Sequence, residues 1–147
     1  MINKPGFDGD AIVYCEGAFN TTNGKTAHGL VRYTERYRIL SVVDSRYSGE
    51  DAGRILDGTE NGIPVTASLG EAISIARARG YKPSHMVIGL APDGGRLPLS
   101  AHHVIKQAIM HGLNIDCGLH DFLSADREIS PLAMEKGVCI RAIRKTP

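Results

Sequence analysis

The chain has 147 residues, 42% of them hydrophobic and 22% charged, enough to bury about two-thirds of its unfolded surface in one core without disulfide or metal staples. Its 17 basic residues against 16 acidic ones leave a formal net charge of +1, which excludes the strongly basic footprint of a nucleic-acid binder or a polybasic membrane anchor. Cys15, Cys117 and Cys139 lie far apart within apolar runs, so they read as reduced core residues, not as a metal site or a disulfide framework. No apolar leader opens the sequence and no run approaches the about 18 apolar residues of a membrane span, so the expected compartment is the cytoplasm.

Residues 1–10 read as an N-terminal extension, and the apolar run AIVYCEG at 11–17 predicts a first strand passing into a glycine-bearing loop. Ala27, Leu30, Val31 and Thr34 share a face at helical spacing and predict a helix from about Lys25 to Arg36. RILSVVDS at 38–45 predicts the second strand, ending in Asp44, and SGEDAGRILDG supplies a short helical turn before a brief third strand in GIPV at 62–65. Ser68 and Glu71 form an S-x-x-E capping box ahead of the stripe Leu69, Ala72, Ile73 and Ala76, which Gly80 can terminate.

HMVIGLAP at 85–92 is the fourth predicted strand. Ser100 can cap a helix bearing Ala101, Val104, Ile105, Ala108 and Ile109 on one face, with Gly112 at its end. NIDCGLH at 114–120, a helix opened by Ser130 and Pro131, and VCIRAIR at 138–144 complete the series. Strands alternating with helices predict an α/β domain of the Rossmann-like, doubly wound kind, a mostly parallel six-stranded sheet with helices on both faces. Right-handed crossovers within that fold class imply the order 3-2-1-4-5-6.

Ligands in such sheets sit beyond the carboxyl ends of the strands, where the strand order reverses. The loop EGAFNTTNGKTAHG at 16–29 follows the first strand and offers Gly17, Thr22, Gly24, Lys25 and Thr26 near a helix start, groups suited to an anion such as phosphate. It matches neither standard phosphate motif: a Walker loop needs glycine where Phe19 stands, and so does the second glycine of GxGxxG after Gly17. The alternative is that these glycines only shape the turn. Asp44 could accept hydrogen bonds from a ribose and Arg46 could contact phosphate, or the pair could be a cap and an ion pair. Gly94, Gly95 and Arg96 follow the fourth strand, where the glycines permit close approach and the guanidinium could hold an anion. His120 and Asp121 follow the fifth and are candidates for proton transfer if they converge. His102 and His103 read as surface or interface residues, and His28, in the first turn of the first helix, has no role assigned. No metal-ligand set is visible.

The strings YCEGAFNTTNGKTAHGLVRY, VVDSRYSGEDAGRILDG, GIPVTASLGEA, VIGLAPDGGRLP, GLHDFLS and the terminal IRKTP together resemble the N-terminal Rossmann-like domain of a family catalogued as a domain of unknown function. Its usual members continue into a C-terminal P-loop domain and include the D-glutamate N-acetyltransferases. The matches fall on Gly17, Asn23 to Thr26, His28, Asp44 to Arg46, Gly94 to Arg96, and His120 with Asp121. The resemblance implies a single Rossmann-like domain over residues 1–147 without the P-loop domain. It further implies a nucleotide or acetyl-CoA as possible ligand and a P-loop protein as possible partner in D-amino-acid metabolism. Two alternatives stand beside it: a non-catalytic assembly module forming a homo-oligomer, and an NAD(P)-dependent oxidoreductase, weakened by the missing GxGxxG.

Overall fold

Unbroken apolar runs mark strands covered on both faces, the condition of a parallel sheet inside an α/β domain. The computed structural model describes residues 9–21, 25–32, 37–89, 99–117 and 129–142. In chain order these form β1 (Gly9–Tyr14), α1 (Lys25–Arg32), β2 (Tyr37–Val43), a 3-10 turn (Ser45–Tyr47), α2 (Ala52–Asp57), β3 (Val65–Thr66), α3 (Leu69–Ala78), β4 (His85–Ile88), α4 (Leu99–Met110), β5 (Asn114–Cys117), α5 (Ile129–Lys136) and β6 (Ile140–Ala142). The sheet order is β3-β2-β1-β4-β5-β6, and every pairing is parallel. This is the Rossmann-like arrangement that the strand–helix alternation predicts. The first half of the chain winds away from β1 on one side and the second half on the other.

Helix α1 packs beside α2, while α4 packs beside both α3 and α5, the two-layer grouping that right-handed crossovers produce. The core lies between these layers, with Ile12, Val13, Val42, Met86, Ile88, Ile105, Ile109 and Ile115 all buried. Fully burying each such side chain contributes roughly 1.5–3 kcal/mol. On one sheet face Tyr37 reaches across from β2 and donates its hydroxyl to Asp116 of β5, passing the edge of His85 at 5.8 Å. No helix among the described residues is long and apolar enough to cross a membrane.

Local signals explain most boundaries. Ser68 accepts from the Glu71 amide at 3.1 Å, and Glu71 reaches back to the Ala67 amide at 3.2 Å, one residue earlier than the strict capping box. At the other end Gly80 adopts φ +84, with its own N–H on Arg77 and that of Tyr81 on Ala76, the paired bonds of a Schellman stop. Some expectations shift. The third strand is Val65–Thr66, because Pro64, which lacks an N–H, instead faces Asp51 in an isolated antiparallel bridge. Ser100 is the second residue of α4 and not its cap, its side chain bonded to Tyr14. Pro131 is the third residue of α5, and Cys139 is exposed, unlike the buried Cys15 and Cys117.

The register brings the strand ends level: Tyr14 lies opposite Val43 and Ile88, Val43 opposite Thr66, and Ile88 opposite Cys117. The residues one step further, Cys15, Asp44 and Gly89, therefore share one crest. Gly89 is the point where α1 touches that crest. A Cβ there would lie 2.6 Å from Val13 Cγ1 and 2.9 Å from Ala27 Cβ, so only glycine lets the helix approach so closely. Gly89→Ala is accordingly expected to destabilise the fold by about 1–3 kcal/mol, the usual cost of overpacking. An unchanged urea midpoint for the variant would show that the contact is slack.

Candidate functional site

The crest is organised around one carboxylate. Asp44, a single residue beyond β2, is wholly buried. Its Oδ2 accepts from the Phe19 amide at 3.1 Å and Arg46 Nη2 at 2.9 Å, while Oδ1 accepts from the Arg46 amide at 3.1 Å and Arg46 Nε at 3.2 Å. The Gly17 amide also contributes. Burial alone would raise the carboxyl above its ordinary value. The hydrogen bonds from the Arg46 side chain and from the Phe19, Arg46 and Gly17 amides outweigh it and hold the group below that value. Arg46 keeps its guanidinium partly exposed and lies 5.0 Å from the centre of the Tyr47 ring.

The loop after β1 folds down onto this anion. Cys15 N–H continues the ladder to the Val43 carbonyl at 3.0 Å, Gly17 turns with φ +77, and tight bonds from the Ala18 and Thr21 amides shape the remainder. Phe19 ends with no exposed surface. Its carbonyl meets His28 Nε2, and its ring meets the His28 ring edge-on at 5.9 Å. Outside this plug Glu16 accepts from the Ser45 amide at 2.8 Å and its hydroxyl at 2.6 Å, so the loop is tied to the segment after β2 at two places.

On the β4 side Ala27 N–H bonds the Gly89 carbonyl at 3.1 Å and Gly89 N–H the Tyr14 carbonyl at 2.8 Å. These bonds fix the start of α1 beside the end of β4. The first turn of α1 contains no acidic residue, so nothing in it offsets the positive end of the helix dipole. Burial, together with the charges of Asp44 and Glu16, pushes the Cys15 thiol up to about 12. It is therefore a neutral core group and not a nucleophile. Burial likewise raises Tyr14 to about 12, with Ser100 bonded to it.

Of the residues singled out in the sequence, Gly17, Asp44 and Arg46 meet at the crest, and Lys25 and Thr26 contribute backbone to the first turn of α1. Thr22, Gly24, Gly94, Gly95, Arg96, His120 and Asp121 lie outside the described residues. The partners of Asp44 are those of the cap-and-ion-pair alternative. Sequence reading missed Phe19 and His28 as partners. The available signal was an aromatic residue in an otherwise polar loop. Away from the crest, a groove of about 400 Å³ runs between the start of α3 and α4, lined by His103, Lys106, Met110 and His111. No group of three or more His, Cys, Asp or Glu side chains that could hold a metal occurs among the described residues.

Removing the anion strands buried amides, so Asp44→Ala is expected to cost about 3 kcal/mol. Arg46→Ala should cost less, since the Arg46 amide still reaches the carboxylate. Because the folded carboxyl titrates below its ordinary 3.8, its stabilisation is complete above that pH and drains away as pH falls through the lower folded value. Urea unfolding between neutral pH and pH 3 should show this acid loss in the parent chain, and less of it in Asp44→Asn. Equal acid slopes in the two proteins would contradict the assignment.

Residues 45–146 match the family model described as a domain of unknown function (DUF1611_N), Rossmann-like domain. Among solved structures, a DUF1611 family protein from Anabaena variabilis ATCC 29413 superposes with a TM-score of 0.77 at 29% identity, over 95% of this chain and 38% of that one. The homoserine dehydrogenase of S. aureus gives a TM-score of 0.53 at 10% identity over 91% of this chain and 32% of its own. That of Thiobacillus denitrificans gives 0.51 at 20% over 93% and 30%. At such identities the two dehydrogenases share the fold alone. The chain spans well under half the length of all three, and no curated protein matches it. By the match over most of its length, the chain belongs to the DUF1611_N family of Rossmann-like domains.

Proposed function

We propose that this domain binds a phosphate-bearing small molecule, a nucleotide or acetyl-CoA, where the β1 loop and the start of α1 meet the end of β4. In this reading it serves as the accessory half of a D-amino-acid N-acyltransferase-like protein acting with a P-loop partner. The observation that carries the reading is the seating of α1: its first turn, free of acidic residues, is bonded through Ala27 to Gly89 at the point where the strand order reverses. Helix starts at that point are where doubly wound domains receive anions. The Anabaena relative, in which the matching part is 38% of a longer chain, supports a role beside a further domain. Within this reading Lys25, Thr26 and Arg96 are the candidates to meet the anion, and His120 with Asp121 the candidates for proton transfer, the last three lying outside the described residues.

A second reading, an assembly module forming a homo-oligomer, is favoured by Met110 and Met134. These are 58% and 82% exposed on the neighbouring helices α4 and α5, and are the side chains that an association surface there would cover. Sedimentation at rising concentration separates the two readings.

A thermal-shift screen against ATP, GTP, acetyl-CoA and D-glutamate tests the first. A true ligand at 100 times its dissociation constant should stabilise the chain by about 2.7 kcal/mol. Lys25→Ala should abolish the shift without lowering the melting temperature of the free chain. If none of these compounds shifts the transition, the ligand-binding reading is lost.

A further inference from the structure

In a dinucleotide-binding Rossmann domain the carboxylate ending the second strand accepts from the adenosine ribose, and a Gly-x-Gly turn after the first strand lets backbone approach the pyrophosphate. The dehydrogenases that share this fold make a dinucleotide the obvious candidate ligand. The residues present do not fit one. Asp44 stands where the ribose acceptor would stand, but it has no exposed surface. A carboxylate offers about four lone-pair sites, and the four hydrogen bonds from Phe19 and Arg46, with the Gly17 amide beside them, leave none open.

The turn is closed as well. The position of the second fingerprint glycine is Phe19, whose ring is fully buried against His28. Swinging the loop away would expose that ring, break the bond to Asp44 and pull Glu16 from Ser45.

The geometry points to a ribose position that the chain fills with its own groups: Phe19 and Arg46 saturate Asp44, so the domain takes no nicotinamide or flavin dinucleotide through its adenosine half. Its ligand is an anion held without ribose hydroxyls on Asp44. The inference narrows the reading above and rests on it for the location of the ligand, while the closure of Asp44 stands on the crest bonds alone.

Amide NMR spectra of the 15N-labelled chain test both and keep them apart. On addition of NADH or NADPH to about 1 mM, a level that corresponds to only weak binding, the Gly17, Phe19 and Arg46 signals should stay in place. Saturable movement of those signals overturns the closure. Inorganic phosphate or acetyl-CoA should instead move the amides of Lys25 to Ala27. If those stay still while the crest is also silent to NADH, the anion reading fails and the closure survives.

Discussion

A buried carboxylate with saturated acceptors holds the crest of this domain together. Burying an anion is costly unless donors replace the water it leaves. Asp44 obtains them from three directions: the loop after β1 through Phe19 and Gly17, the turn after β2 through the Arg46 amide, and the guanidinium above. The same interaction therefore fixes the path of the β1 loop, caps the 3-10 turn and sends Phe19 inward. Once Phe19 is inward, its carbonyl and ring engage His28, which anchors the loop to α1 as well as to β2. The helix seated by Gly89 and the loop seated by Asp44 thus depend on one another.

What this leaves for function is a crest divided in two. Towards β2 it is filled by the chain's own polar groups. Towards β4 it carries a helix start with no acidic residue in its first turn and a strand end that only glycine can occupy. On the β2 side the Asp44 carboxylate is already met by the chain's own donors, whereas on the β4 side the first turn of α1 bears no acidic group to oppose the helix dipole. The likeness to homoserine dehydrogenases is one of fold alone.

The architecture was largely legible in the sequence because local chemistry and global fold agree there. The Ser68 and Glu71 cap, the stripe from Leu69 to Ala76 and the stop at Gly80 each point to the same helix, and the helix is found there. Short apolar runs separated by such helices leave little choice but a parallel sheet. The failures are those of long-range partnership. Ser100 reads as a cap until Tyr14 is brought to it by the sheet, and Cys139 reads as core until the edge position of β6 exposes it. Asp44 was visible as a strand-end acid. Its donor Phe19 lies 25 residues away and Gly17 further still, and no spacing in the sequence indicates whether a ribose or a backbone amide will meet it. Gly89 reads as part of a strand, because its role depends on how closely α1 approaches.

Whether Asp44 anchors the crest is decided by a titration of its side-chain carboxyl by carbon-13 NMR, with the Phe19 and Gly17 amides followed in the same samples. The expected midpoint lies below the ordinary 3.8, with both amides moving at that same midpoint as their acceptor is protonated. A carboxyl that titrates at its ordinary value while the two amides stay unmoved would contradict that role.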